Sequence, residues 1–254
     1  MKILSVDTSS IVATAAIVED EKLVAEYVLN NKLTHSQTLM PIVDEIIKSS
    51  NTDIKDIDLF AVANGPGSFT GLRIGVACVK GFAHAMDKPV VGVSTLLGLS
   101  YNLSFSDGIV CPIMDARRGE VYNALYKFND GEHECLRKDR AVSMEYLIYE
   151  LTEEFRDEKI IFLGDGVAVH GEKIKEMLGE RAFFAPPSLN MQRASSLAVC
   201  AKKMYDKGEV TTCYDIKCEY LRKSQAEREA DEREMAMNRF CATGDSTVLT
   251  KKED

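Results

Sequence analysis

The amino-acid sequence predicts an α/β protein built from two halves of similar topology. Short apolar runs, typical of buried strands, alternate with longer amphipathic stretches, typical of helices. The first half has the order strand, strand, strand, helix, strand, helix, strand, and the second half repeats this order in outline. With 254 residues, of which 45% are hydrophobic and 28% are charged, the chain can form one large domain or two ordinary ones.

Three closely spaced apolar runs open the first half and predict an antiparallel meander. These runs are residues 3–6, 13–18 and 23–29. An amphipathic helix is expected over residues 35–49, because its apolar side chains recur at helical spacing. Pro41 lies early in that helix and predicts a kink or a later start. A strand at 58–63, a glycine-containing helix and a strand at 89–94 complete this half.

The second half contains the same kinds of element in a similar order. They are strands at 109–114, 121–128, 136–142 and 160–163, and helices at 144–155, 169–178 and 194–205. Asp7 and Asp115 each follow the first strand of a half. The two aspartates are therefore predicted to occupy corresponding positions.

The order of elements also predicts where the parts of the chain begin and end. We expect an N-terminal lobe over residues 1–102 and a smaller C-terminal lobe over residues 103–221, with a hinge near residues 100–108. The remaining 222–254 form a charged tail, in which residues 224–238 are expected to be a solvated helix.

Charge and cysteine content limit the classes of function. The formal net charge of -9 argues against an autonomous nucleic-acid binder, since phosphate contacts need a basic patch. The seven cysteines are odd in number and no pair has C-x-x-C spacing, which indicates reduced thiols. The apolar run at the N-terminus is too short for a signal peptide, because it is interrupted as early as Asp7. No apolar run approaches the 18 residues needed to span a membrane. We therefore expect a cytoplasmic protein with no membrane partner.

The most unusual stretch follows the strand at 58–63. Gly65-Pro66-Gly67 breaks that strand, and Ser68 or Thr70 is placed to cap the next helix. That helix contains Gly71, Gly75 and Gly81, each of which costs about 1 kcal/mol relative to alanine. Something must therefore approach the helix backbone closely. The spacing fits neither a P-loop nor a dinucleotide fingerprint, so a structural turn with close packing is favoured over a phosphate site.

Residues 65–75 read Gly-Pro-Gly-Ser-Phe-Thr-Gly-Leu-Arg-Ile-Gly, and this run resembles the hallmark of the bacterial TsaB (YeaZ) family. Three shorter pieces agree with that resemblance, which covers residues 1–227. They are Asp7-Thr8-Ser9, His35-Ser36 and Tyr220-Leu221-Arg222. The strand and helix order likewise resembles the ribonuclease-H-like lobes of the actin/sugar-kinase/Hsp70 (ASKHA) superfamily.

The resemblance implies a non-catalytic, glycoprotease-like subunit in the pathway that attaches a threonylcarbamoyl group to tRNA adenosine. It implies pairing with a catalytic, metal-binding TsaD-like paralogue and with a small TsaE-like ATPase. It implies contact with tRNA only through the complex, and a homodimer when the chain is isolated. ATP and magnesium are expected only at the level of the complex. The alternative left open is an actin-like small-molecule kinase or ATPase.

The resemblance also implies a contact surface on the first helix and the glycine helix, which in this family meet their counterparts in another subunit. We expect Arg73, Ala77 and Lys80 to face outward, and Leu72, Val76 and Val79 to face inward. The residues predicted to form the interface are His35, Ser36, Leu39, Thr70, Gly71, Arg73, Ile74, Ala77, Lys80 and Gly81.

Candidate catalytic groups are few. In the superfamily the turn at Asp7, Thr8, Ser9 and Ser10 holds a nucleotide phosphate, but here Ser9 replaces the usual glycine. Weak nucleotide contact and a purely structural turn both remain open.

A metal site and other reaction centres also lack their usual residues. Catalytic relatives bind a metal through His-x-x-x-His, whereas His35 is followed four residues later by Leu39, so no metal is expected. The turn at residues 115–120 fits either an anion site or a self-neutralising hairpin. Gly164-Asp165-Gly166 resembles weakly the second glycine turn of the superfamily. No nucleophile elbow of the form G-x-S-x-G occurs, so no catalytic residue is assigned.

Overall fold

Two five-stranded mixed sheets and six α-helices make up the described part of the computed structural model. The structure describes residues 1–31 and 33–222, so the helix expected at 224–238 lies outside it. Met1–Leu221 form one compact unit. Within the described ranges, no helix combines the length and apolarity needed to cross a membrane.

The first sheet has the strand order β3-β2-β1-β4-β5. Its strands are β1 (Lys2–Asp7), β2 (Ala13–Glu19), β3 (Lys22–Leu29), β4 (Leu59–Gly65) and β5 (Val90–Ser94). The first three pair antiparallel, which confirms the predicted meander, and β4 and β5 run parallel to β1. The associated helices are α1 (His35–Ser49), α2 (Phe69–Met86) and the short α3 (Thr95–Ser100).

The second sheet repeats this order as β10-β9-β6-β7-β8. Its strands are β6 (Ile109–Asp115), β7 (Glu120–Asn129), β8 (Glu132–Ser143), β9 (Ile160–Leu163) and β10 (Ala182–Phe184). The helices that follow are α4 (Met144–Glu153), α5 (Gly166–Leu178) and α6 (Ala194–Asp206). Asp7 and Asp115 end β1 and β6, the central strands of the two sheets, so the predicted duplication is confirmed.

The elements match the sequence predictions closely, with three differences. First, α1 begins at His35 with Pro41 inside it, so Pro41 causes no late start; the Gln37 side chain accepts a hydrogen bond from the Thr34 N–H (3.4 Å) at the start of the helix. The second and third differences are the short α3 and β10, which were not predicted.

The boundary predicted for the C-terminal lobe, 103–221, needs correction. Helix α6 packs on the first sheet, where Leu197 and Ala201 join Ile3 and Leu59 in one buried cluster. Further along the chain, Ile216 is buried in the cluster between the first sheet, α1 and α2. The chain thus returns to the first lobe after β10.

A buried carboxylate joins α4 to the outer strand of the second sheet. Glu150 is only 3% exposed, and it accepts hydrogen bonds from Arg137 Nε (2.8 Å) and from the Arg140 guanidinium. Burial alone would raise the pKa of Glu150, but the hydrogen bonds from Arg140 and Arg137 outweigh it and hold the pKa below its ordinary value. The ionised form of Glu150 therefore stabilises the folded chain.

We expect Glu150→Gln to lower the free energy of unfolding by about 2 kcal/mol at pH 7, because two arginines lose their counter-charge. The contribution of Glu150 is full above the ordinary glutamate pKa of about 4.3 and is lost as the pH falls through the lower folded-state value. The difference between wild type and variant should therefore shrink in acid. Urea unfolding at pH 7 and in acid measures it, with exposed Glu153→Gln as control; an equal loss in both variants would contradict it.

Candidate functional site

The turn after β1, which the superfamily resemblance implied as a nucleotide site, is closed by its own side chains. Asp7, Thr8, Ser9 and Ser10 are all buried, none more than 7% exposed. Asp7 Oδ1 accepts hydrogen bonds from the Ser9 N–H (2.8 Å) and the Ser9 hydroxyl (2.6 Å). Burial raises the pKa of Asp7 despite these bonds. One oxygen of the Asp7 carboxyl group is thus bonded within the turn.

Helix α2 supplies the other side of this closed turn. The Thr8 hydroxyl donates to the Gly71 carbonyl (2.8 Å), and a Cβ added at Gly71 would lie 2.0 Å from the Thr8 carbonyl oxygen. A Cβ at Gly75 would lie 2.6 Å from Thr8 Oγ1. Close approach therefore explains Gly71 and Gly75, and the approaching group is the turn itself. Of the two predicted caps, Ser68 is the one used, accepting from the Gly71 N–H (3.2 Å).

His35 also serves this turn. Its Nε2 lies 2.7 Å from the Ser10 carbonyl oxygen, and its ring lies beside Gly71. The Ser10 hydroxyl donates in turn to Gln192 Oε1 (2.7 Å). Among the described residues, no three His, Cys, Asp or Glu side chains are grouped closely enough to hold a metal ion.

Residues 186–193 form a loop that contacts the turn after β1 in the first lobe and the turn after β9 in the second. Through Gln192 it reaches Ser10, and the Asn190 carbonyl accepts a hydrogen bond from the Gly164 N–H (2.7 Å). Asn102 Nδ2 donates to two carbonyls of the same loop, each at 2.8 Å. In open α/β sheets, ligands bind in a crevice at the carboxyl ends of the strands. Here the chain's own loop contacts both turns, a role that the loop sequence does not reveal.

The polar turn of the second lobe, residues 115–120, is held by hydrogen bonds from backbone N–H groups to carboxylate oxygens. Arg117, Arg118 and Gly119 have φ of 62°, 57° and 74°, and Asp115 Oδ1 accepts from the Arg117 N–H (2.9 Å). Asp165 Oδ1 accepts from the Asp115 N–H (3.1 Å), and burial raises the pKa of Asp165 to about 6. The structure thus places the second glycine turn next to Asp115, as Gly71 lies next to Thr8.

The outer face of α2 is open and carries small residues. Ala77 and Gly81 are exposed, and a Cβ added at Gly81 would meet no atom within 4 Å. Leu72, Val76 and Val79 are buried, as the predicted orientation of the helix requires.

The ten residues predicted for the interface fall into three groups. Those at the surface are Ser36, Thr70, Arg73, Ala77 and Gly81, and those half-buried are His35, Ile74 and Lys80. The prediction is wrong for Leu39 and Gly71. Leu39 is buried on the inner side of α1 and Gly71 is buried against Thr8, so neither can face a partner.

A groove of about 830 Å³ opens between α1, the C-terminal half of α2 and the segment after α1. Three aspartates and Lys48, whose Nζ lies 2.5 Å from Asp44 Oδ2, line it together with apolar side chains. Those apolar side chains are Met40, Val43, Ile47, Ile54, Phe82 and Met86. Sequence reasoning missed Met40, whose Sδ lies 3.4 Å from Cys78 Sγ, although its 50% exposure on an amphipathic helix marks an unusual apolar surface.

The duplicated sheet order and the paired strand-end aspartates define a two-lobed α/β protein with a five-stranded mixed sheet in each lobe. Comparison with known proteins narrows the class. A sequence model described as TsaD, tRNA N6-adenosine threonylcarbamoyltransferase, matches residues 22–230. The TsaB protein of Bacillus subtilis is 34% identical over 227 residues, covering 89% of this chain and 96% of that protein. The chain belongs to the TsaB family.

Two further comparisons agree. The TsaB protein of Escherichia coli is 37% identical over 129 residues, which are 50% of this chain and 55% of that protein. The crystal structure of YeaZ from Pseudomonas aeruginosa superposes with a TM-score of 0.72 at 24% identity, covering 87% of this chain and 99% of that one. This structural likeness confirms the fold.

Proposed function

We propose that this chain is the non-catalytic subunit of an assembly that makes threonylcarbamoyladenosine in tRNA. The relatives from B. subtilis and E. coli are named for this biosynthesis. The observation that carries the non-catalytic role is the closed turn at Asp7–Ser10, against which Gly71 is packed. A nucleotide phosphate would need the space that these backbones fill.

The partner in this proposal is a TsaD-like catalytic protein, docked on α1 and α2. The exposed small residues Ala77 and Gly81 let another helix approach within the usual 8–10 Å. The neighbouring groove is lined by apolar side chains together with Asp53, Asp56 and the Asp44–Lys48 ion pair, which suits an apolar segment that carries a basic residue. A TsaE-like ATPase and tRNA join through the complex, and the isolated chain uses the same face to form a homodimer. The assembly works in the cytoplasm.

A reconstitution tests this role. Purified chain, TsaD-like and TsaE-like proteins are incubated with unmodified tRNA and threonylcarbamoyl adenylate, and modified adenosine is measured by mass spectrometry. We expect product only when this chain and the TsaD-like protein are both present. Product formed by this chain alone, or full activity without it, would overturn the proposal.

The isolated chain is expected to bind ATP and magnesium weakly or not at all, because Asp7 and Thr8 already bond within the chain. Isothermal calorimetry measures this. As a control, the same titration is run on the complex with the TsaD-like protein. Micromolar or tighter binding by the isolated chain would instead favour the actin-like kinase or ATPase.

A further inference from the structure

The segment after α6 returns along α2, and we call residues 211–221 the C-terminal strap. Thr211 pairs with Val90, just beyond the C-terminal end of α2 (2.8 and 3.0 Å). Tyr214 OH lies 3.1 Å from His84 Nδ1 in the last turn of that helix. The Glu219 N–H donates to the Asn64 carbonyl (2.7 Å), before the helix begins. The strap therefore runs antiparallel to α2 along its whole length.

At its end the strap completes a stack of three side chains, Phe69, Arg73 and Tyr220. The Tyr220 and Phe69 ring centroids are 4.6 Å apart with an interplanar angle of 30°. The guanidinium carbon of Arg73 lies 3.8 Å from the Phe69 centroid, and Arg73 Nε donates to Tyr220 OH (3.0 Å). Arg73 is thus held by a ring face on one side and by a phenol oxygen at Nε.

This arrangement fixes the direction of the Arg73 guanidinium at the exposed start of α2. With Nε bonded to Tyr220, the two terminal nitrogens are the pair suited to a bidentate contact. Holding the long side chain in one geometry also lowers the entropy lost when a ligand binds. Such a fork matches a carboxylate or a phosphate.

We propose that the stack of Phe69, Arg73 and Tyr220 binds a carboxylate side chain of the TsaD-like partner, with Tyr220 as the positioning residue. This inference rests on the proposed function. A single carboxylate is favoured over a tRNA phosphate, because binding of a polyanion needs several basic side chains and the chain carries a net charge of -9. Lys80, the other basic side chain predicted for this interface on α2, is seven residues from Arg73, about 10 Å along the helix, so it does not form a cluster with Arg73.

Calorimetry of the full-length chain with the TsaD-like protein tests the assignment. Arg73→Gln should weaken binding roughly 30-fold, as expected when one member of a charged pair is lost. Arg73→Lys should weaken it about 10-fold, because the ammonium cannot form the fork. Tyr220→Phe keeps the ring stack but removes the oxygen, and should cost about 5-fold. Tyr214→Phe, in the same strap, is the matched control and should leave binding unchanged.

A double variant separates positioning from mere packing. If Tyr220 acts through Arg73, Tyr220→Phe should have no further effect once Arg73 is glutamine. An equal 5-fold loss in that background, or Arg73→Gln binding within about 2-fold of wild type, would overturn the inference but leave the proposed function standing. If Arg73→Gln leaves the affinity for the TsaD-like partner unchanged but the complex loses tRNA binding, the inference is also overturned, in favour of a phosphate ligand. No binding by the wild-type chain would overturn the proposed function itself.

Discussion

Replacing Gly71 with alanine is expected to lower the free energy of unfolding by about 2 kcal/mol. The new methyl group would lie 2.0 Å from the Thr8 carbonyl oxygen, so either the turn or α2 must move. Neither can move cheaply, because the Thr8 hydroxyl bonds to the Gly71 carbonyl and the Ser68 N–H to the Ser9 carbonyl (2.7 Å). Overpacking of this kind costs about 1–3 kcal/mol and exceeds the helix-propensity gain of about 1 kcal/mol.

Gly81→Ala is the matched control in the same helix. A methyl group there would meet no atom within 4 Å, so only the helix propensity changes. We expect it to raise the free energy of unfolding by about 0.5–1 kcal/mol. Urea denaturation of both variants gives the comparison. A stable Gly71→Ala protein would mean that the β1 turn shifts readily, which would weaken the case that its phosphate position is closed.

The sequence was a good guide to the elements whose side chains alternate or recur at regular spacing. The meander, α1, α2 and the duplicated order all follow from such local patterns. The close neighbour predicted from the glycines of α2 is found at Gly71 and Gly75, where it is Thr8, but not at Gly81, where an added Cβ would meet no atom within 4 Å. The orientation of α2 was predictable because Leu72, Val76 and Val79 mark its apolar side.

The residues that the sequence misplaced or left unconnected have different causes. The apolar pattern of α6 shows that one face is buried but does not identify the sheet that covers it, so the helix was assigned to the wrong lobe. Leu39 was included in the interface by resemblance, although its place on the apolar stripe of α1 already indicated the core. The pairing of Arg73 with Tyr220 joins residues 147 positions apart, and no local pattern connects them.

We expect Ala77→Trp to abolish self-association and binding of the TsaD-like partner while the monomer stays folded. Ala77 is exposed on the open face of α2, so the indole can extend into solvent in the monomer. At an interface where two helix backbones approach within about 8–10 Å, the same indole has no room. Size-exclusion chromatography measures the association, and circular dichroism measures the fold.

Two further tryptophan variants make this result specific. Ala168 is an exposed alanine on α5, which corresponds to α2 in the second lobe, so Ala168→Trp should leave both fold and association intact. Ala83 is 1% exposed on the inner side of α2, and Ala83→Trp should disrupt the fold, because the core has no space for the ring. If Ala77→Trp still dimerises and still binds its partner, the contact lies on another surface, because a bulky ring on a true helix–helix interface cannot be silent.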